Sequence, residues 1–367
     1  MSASPRILIS GYYGAGNAGD EAILTALVGS IRRLRPEAEL VVLSANPKAT
    51  AKTYDVEAVS RFSRAALHRE IAQHKSQLLI SGGGGLIQDT TSWRSPLYYL
   101  ALLWQANRKG LKTAALLQGI GPLRRPWLRK LTARIFRRLD LIAVRDQPSA
   151  QLLVDWGVPA SAVQVAADAV WLLDPTEPPS DALQDNPARP RVGVFLRPLP
   201  NQPAALSADL WQAIAGGLDD FIRRYGGSVF FVPMQQPGDE QASQEVMSRF
   251  KGAAKQLSGD WSPSELLALA GSFDLVLGMR LHSLIFAARM GAPPVGISYD
   301  PKVDALLAQV GLRAAVSAQQ PNAGALAEAL RDTWEKRAEL KPRLVSVSAE
   351  NRQKTLRAVE EASALLE

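Results

Sequence analysis

Short runs of β-branched and aliphatic residues alternate with stretches in which apolar positions recur every three or four residues. In the first half, residues 6–10, 40–44, 78–81, 113–118, 141–144 and 164–167 read as strands, with helical patterns between them. Strands apolar on both faces and separated by helices belong in a parallel sheet covered on both sides. This gives a first α/β domain over 1–175. The stretch DPTEPPSDALQDNPARP that follows carries proline and acid with little to bury, so a linker is expected over 176–190. The alternation resumes with strands at 191–195, 228–233, 275–277 and 294–297 and helices such as 208–225 and 263–270, a second α/β domain over 191–340. Residues 341–367 read as a C-terminal helix, with a return onto the first domain left open by the sequence. The expected fold class is α/β: two Rossmann-like domains with a cleft between them, and ligands gathered there and at the carboxyl ends of the strands.

Composition narrows the chemistry. A chain of 367 residues, 47% hydrophobic, has enough apolar surface for two cores. It has no cysteine, which removes disulfides, thiolate zinc sites and cysteine nucleophiles; with only three histidines, no metal and no cofactor are expected. The start MSASPRILIS has neither the charge nor the long apolar run of a signal peptide, and no apolar stretch approaches the roughly 20 residues that span a bilayer. A soluble cytoplasmic protein is the expectation.

A net charge of +7 points to an anionic partner. The excess is concentrated between Arg124 and Arg138, where Arg124, Arg125, Arg129, Lys130, Arg134, Arg137 and Arg138 interleave with Trp127, Leu128, Leu131, Ile135 and Phe136 at helical spacing. One reading is a solvated helix packed on the sheet; the other is a cradle for an anionic lipid or diphosphate, and the element for any peripheral contact with the inner membrane surface. No nucleic-acid-binding pattern accompanies it.

The candidate chemistry lies at strand ends. After the first strand, Gly14-Ala15-Gly16-Asn17-Ala18-Gly19 spells a dinucleotide fingerprint, but the second strand ends in Ser44-Ala45-Asn46 with no acid for a ribose. Asp20 and Glu21 also bring negative charge to the helix start, where a pyrophosphate would sit. A substrate-facing turn, with Asn17 and Asp20 offered to sugar hydroxyls, is the preferred reading over a purely structural one. Ser81-Gly82-Gly83-Gly84-Gly85-Leu86-Ile87-Gln88-Asp89 follows a buried strand, and four glycines in a row suggest backbone N–H groups turned to an oxyanion or a sugar. Gln118-Gly119-Ile120-Gly121-Pro122 either lines the same cleft or shapes it. Arg145 is a bidentate anion donor or half of a helix-entry pair with Asp146. In Gly278-Met279-Arg280-Leu281-His282-Ser283 a buried strand turns into an apolar helix. Its first amides and Arg280 make a phosphate site, with His282 at hand for proton exchange. Lys302 is a second cation or a surface lysine in a turn. His68 and His74 fall in an ordinary amphipathic helix and take no role.

Taken in order, G-Y-Y-G-A-G-N-A-G-D-E-A, S-G-G-G-G-L-I-Q-D, Q-G-I-G-P, V-R-D, G-M-R-L-H-S and S-Y-D-P-K-V resemble the polysaccharide pyruvyl transferases, in particular their CsaB-type branch, over roughly residues 7–303. The resemblance implies a GT-B-like fold and phosphoenolpyruvate as donor substrate. It further implies a 4,6-ketal formed on the β-N-acetylmannosamine of a lipid-diphosphate-linked precursor of secondary cell-wall polysaccharide, a polymer that anchors S-layer proteins. Carried over position by position, Arg145, Arg280, Leu281, His282 and Lys302 match the donor site, with His282 catalytic. Asn17, Asp20, Gly83, Gly84, Gly85, Gln88 and Asp89 are the acceptor candidates, and a general base, Asp20 or Asp168, is not singled out. A GT-B glycosyltransferase using a nucleotide-sugar donor is the alternative, and a non-enzymatic polysaccharide-binding protein the more distant one.

Overall fold

The computed structural model describes residues 4–73, 75–90, 92–179, 183, 190–199 and 203–367. The chain divides into two compact units, one of Met1–Leu173 with Asn351–Glu367, the other of Asp174–Glu350. Part of the stretch expected as a linker, 180–182 and 184–189, lies outside the described residues. The last helix, Arg337–Ala364, contributes its residues from Asn351 onward to the first unit.

In the first unit, strands β1 (Arg6–Tyr13), β2 (Glu39–Ser44), β3 (Glu57–Ser60), β4 (Leu78–Gly82), β5 (Lys112–Gln118), β6 (Leu141–Val144) and β7 (Gln164–Val165) form one sheet. Its order is β3-β2-β1-β4-β5-β6-β7. Every pairing is parallel. The second unit repeats the plan with β8 (Arg191–Phe195), β9 (Ser228–Phe231), β10 (Ala254–Gln256), β11 (Leu275–Gly278), β12 (Pro294–Ser298) and β13 (Val316–Ser317), in the order β10-β9-β8-β11-β12-β13. These pairings too are parallel. Each sheet reverses its winding once, between β1 and β4 and between β8 and β11. Beyond the carboxyl ends of such a pair the flanking loops separate and leave a crevice.

Burial explains why the runs become strands. Leu8, Ile9, Leu43, Leu79 and Ile142 are shut from solvent in the first sheet, as are Val192, Val194, Val229, Leu275 and Ile297 in the second. Helices cover the sheets by their apolar stripes, and their ends are chemically matched. Asn17 caps Ala18–Leu34 by accepting from Gly19 N at 3.1 Å, with Asp20 and Glu21 in the first turn and Arg32 and Arg33 in the last. Among the described residues no helix is long and apolar enough to cross a membrane.

Three strands carry no readable run. β3, β10 and β13 are edge strands of two to four residues, partly exposed and mixed in polarity, so neither length nor alternation marks them. Strand β1 also runs three residues beyond the expected 6–10, through a register shift between Ser10 and Tyr13. The Tyr13 hydroxyl donates to Gly82 O at 2.7 Å, and the glycine turn starts only at Gly14. His68 opens a π-helical turn, His68–Ala72, instead of lying in a continuous helix. His74 lies outside the described residues.

That π-turn delivers Glu70 to the amino edge of the sheet. Arg6, buried at the start of β1, donates to Glu70 on the turn at 2.9 Å, to Glu39 on β2 at 2.8 Å and to Glu57 on β3 at 2.6 Å. Burial would push the Glu70 carboxyl up, but Arg6, Arg69 and Ser76 outweigh it and hold it below the usual carboxylate range. Removing one partner leaves a buried charge uncompensated. Arg6→Met is expected to lower the stability of β1–β3 by about 3–5 kcal/mol, read by native-state hydrogen exchange. Because the Glu70 pKa is depressed in the folded state, its stabilisation is present above the ordinary carboxyl range and fades as pH falls through the folded value. The gap between wild type and Arg6→Met should therefore narrow in acid.

Candidate active site

In the second unit Phe195, Gly278 and Gly296 are register partners across β8, β11 and β12. Two residues further along stand Arg197 and Arg280, just past their strands, and Ser298, the last residue of β12, followed by Tyr299. Strands spaced about 4.8 Å apart thus set these residues side by side at the switch point. The turn after β11 is tight: a Cβ on Gly278 would meet Ser283 Oγ at 2.7 Å and Leu284 Cδ2 at 2.9 Å, so only glycine permits it. Arg280 caps the helix Leu281–Met290 in extended conformation. The Leu281 N–H opens that helix, with no carbonyl one turn earlier to accept it. His282 is half-buried in the same turn, and Ser283, fully buried, donates to Arg280 O at 2.7 Å.

Arg280 is held from behind. Asp239, wholly buried at the start of the helix Gly238–Met247, accepts from Arg280 Nε at 2.9 Å and from Nη2 through its other oxygen. The same carboxylate accepts the backbone N–H of Met234 at 3.1 Å and of Gln235 at 3.0 Å, and Gln235 Oε1 accepts from Arg280 Nη2 at 3.1 Å. One edge of the guanidinium is thereby fixed. Among the described residues, Nη1 takes no hydrogen bond.

Lys302 stands in the first turn of the helix Pro301–Gln309, whose cap Asp300 accepts its N–H at 3.1 Å. Its Nζ lies 3.6 Å from Asp300 Oδ2 and 5.3 Å from the centre of the Tyr299 ring. Arg197 covers the same ring at 4.7 Å and donates from Nη1 to the phenol oxygen at 2.9 Å. Burial raises the Tyr299 phenol, yet Lys302 and Arg197 together outweigh it and hold it below the ordinary tyrosine range. Asp239, Gln235, Arg197 and Tyr299 carry no role in the sequence reading. Arg197 had a positional signal, since it follows β8 by the offset at which Arg280 follows β11. Asp239 had none beyond an acid opening a helix.

In the first unit Arg145 follows β6 but is only 8% exposed, with its guanidinium shared between Asp146 at 3.1 Å and Asp168 at 3.5 Å. A Cβ on Gly119 would stand 2.5 Å from Arg145 Nη2, so that glycine is the floor against which the arginine lies. The helix-entry pairing with Asp146 is therefore present. Asp168, a candidate base, serves as the cap of Ala169–Leu172 and as an ion-pair partner.

The glycine turns meet. Gly83 and Gly84 take positive φ, and a Cβ on Gly84 would stand 3.0 Å from Asp20 Oδ1, which places the Asp20 carboxylate against the second glycine loop. Gly83 N–H goes to Leu116 O at 2.8 Å, so of the expected N–H cradle this member is a seam between β4 and β5. Gly85 is exposed, with open space where a side chain would begin. Gln88 is half-buried and accepts from Thr90 N at 2.8 Å. Asp89, the last acceptor candidate of this loop, has partners within the chain. It is buried and accepts from Arg124 N at 2.7 Å, Arg125 N at 3.2 Å and Arg125 Nη1 at 3.1 Å. Burial raises its carboxyl, but these donors prevail and hold it low. Its work is to anchor the entry of the basic helix.

That helix, Pro126–Phe136, buries Leu128, Ile135 and Phe136 in the core and exposes Trp127, Arg129, Lys130 and Arg134. Trp127 packs edge-on against Trp93, ring centres 6.1 Å apart. The apolar stripe thus belongs to the sheet, and the basic face with Trp127 is what the helix offers a partner.

Solved structures share this architecture at low identity. The chain is similar to Staphylococcus aureus MnaA with UDP (TM-score 0.66, 12% identity, 97% of this chain and 94% of that one). It is likewise similar to Anabaena HepE with UDP-glucose (TM-score 0.61, 11% identity, 98% of each chain). A third is the Neisseria meningitidis UDP-GlcNAc 2-epimerase bound to UDP-GlcNAc (TM-score 0.63, 11% identity, 96% and 97%). These likenesses establish a GT-B-like fold of two parallel-sheet α/β domains. Residues 17–301 match the family model described as polysaccharide pyruvyl transferase, a span that opens at Asn17, holds the Gly82–Gly85 turn, Arg145, Asp239, Arg280 and His282, and stops one residue short of Lys302. The chain belongs to the polysaccharide pyruvyl transferase family, and so is a transferase.

Proposed function

We propose that this transferase takes its pyruvyl group from phosphoenolpyruvate and closes it as a 4,6-ketal on a sugar, with release of phosphate. The acceptor fitting the CsaB-type resemblance is the β-N-acetylmannosamine of a lipid-diphosphate-linked precursor of secondary cell-wall polysaccharide. Such a reaction belongs in the cytoplasm, at the inner membrane surface, and its product would serve S-layer anchoring. The observation that carries the reading is Arg280: a guanidinium fixed along one edge by a buried carboxylate, at a sheet switch point, beside the first amides of an apolar helix. A carboxylate with a phosphate is the small anion such a site suits.

The chemistry needs donors for two anionic groups and a route for protons. Arg280, Leu281 N–H, Lys302 and Arg145 are the donors the resemblance assigns. Protonation of C3 makes C2 electrophilic, one sugar hydroxyl adds, phosphate departs, and the second hydroxyl closes the ring. His282, half-buried in the first turn of the helix that follows Arg280, is the proton carrier of the scheme and delivers the proton to C3. Asn17, Asp20, Gly84, Gly85 and Gln88 are the acceptor-side residues, with Asp20 the carboxylate best placed beside the glycine loop. No cofactor enters the scheme.

A nucleotide-sugar transferase is the second reading, favoured by the UDP-sugars bound in structures of similar fold. Phosphate release from phosphoenolpyruvate, with mass-spectrometric gain of a pyruvate ketal on a synthetic lipid-diphosphate disaccharide, distinguishes the two; nucleotide release from a UDP-sugar instead would establish the rival. In the same assay His282→Gln is expected to lower kcat by about 10²–10⁴-fold. Normal turnover in this variant would remove the histidine from the mechanism. Asp239→Asn, which loosens Arg280 without touching the donor, should cut kcat/KM for phosphoenolpyruvate about 100-fold; an unchanged value would mean that Arg280 needs no backing. Reversal of charge at Arg129, Lys130 and Arg134 should weaken turnover of the lipid-linked acceptor and spare a soluble one.

A further inference from the structure

The second unit holds a charged cluster to which the proposed reaction has so far given only one member a role. Tyr299 is flanked by Arg197, from the end of β8, and by Lys302, from the helix Pro301–Gln309. Lys302 leans also on Asp300, while Asp304 turns to Ser298 Oγ. Arginine and lysine carry donors and no acceptor. The phenol oxygen accepts from Arg197, and neither cation is able to receive the phenol's own proton. Among the described residues the phenol donates no hydrogen bond, since Asp300 is paired with Lys302 and Asp304 with Ser298; its proton is available to an acceptor brought in from outside, and with a cation on either side the acceptor that fits is an anion. The arrangement is a hydroxyl donor set between two cations that would gather negative charge.

We propose that Tyr299 hands its hydroxyl proton to the departing phosphate, and that Arg197 is the residue that positions it. The proposal rests on the pyruvyl-transfer reading. As the C2–O bond to phosphate breaks, its electron pair stays on the phosphate oxygen, which takes the Tyr299 proton. The second sugar hydroxyl then bonds to C2 and gives up its proton, which restores the phenol. The first hydroxyl's proton balances the one added at C3, so two hydroxyl protons end as one C–H bond and one phosphate O–H bond. The phenolate formed in between lies against Arg197 and Lys302, the groups that also hold the resting phenol below the usual tyrosine range and so make it a stronger acid.

The test uses the full chain, with kcat and KM for phosphoenolpyruvate measured across pH by phosphate release. Tyr299→Phe should lower kcat about 100-fold or more, with little change in KM, and abolish the fall of kcat at alkaline pH that deprotonation of the phenol causes. Arg197→Met should move that fall to higher pH and raise the midpoint of phenolate absorbance, a readout that needs no turnover; Arg197→Lys should recover part of both. A Tyr299→Phe enzyme with wild-type kcat and an unaltered alkaline limb overturns the proposal while leaving pyruvyl transfer intact. An Arg197→Met chain whose phenolate midpoint does not move overturns the positioning role. A wild type that releases no phosphate from phosphoenolpyruvate overturns the underlying reading and this step with it.

Discussion

Parallel pairing governs where chemistry is able to sit in this molecule, because it forces every strand to be re-entered from the same end. Each connection must cross back over the sheet, helices therefore cover both faces, and the strands between them become apolar on both sides. Polar side chains with work to do are excluded from the strands and collect in the turns at the carboxyl edge. The reversal between β8 and β11 then selects among those turns. Arg197, Arg280 and Tyr299 follow three adjacent strands at the same edge because Phe195, Gly278 and Gly296 are in register.

Taking an arginine out of water is costly, and the two units meet that cost differently. Arg280 is backed by one fully buried carboxylate that also gathers two backbone N–H groups, so the charge is compensated from the protein side. Arg145 is flanked by two carboxylates, Asp146 and Asp168, and lies against a glycine. One arrangement orients a cation outward from a rigid support. The other embeds a cation in a local network, where any ligand must compete with existing partners.

Much of this was legible in the sequence. The apolar runs of β6 and β8 mark their own ends, Gly278 with Arg280, His282 and Ser283 after it marks the strand-to-helix turn, and the ordered motifs carry the family. The edge strands β10 and β13 were not legible, because they have too few residues to show any period. Nor was Asp239. A carboxylate that opens a helix looks like a dipole-matching residue until the fold brings an arginine from 41 residues away onto it. Asp89 carries a second tie that the sequence did not show: next to four glycines it reads as a ligand group, and its oxygens also hold the backbone of a loop 35 residues on. Local pattern reports what a residue is able to do; long-range pairing decides which of those options survives.

The Arg6 junction ties β1, β2 and β3 at their amino ends, whereas Asn17, Asp20 and the glycine turns lie beyond the carboxyl ends of the same sheet, about 20 Å away along the strands. Substitutions that far apart, with no shared partner, combine additively. Robustness and chemistry are thus written on opposite rims of one sheet, and an evolving lineage is able to trade acceptors at one rim while drawing on reserves of stability held at the other.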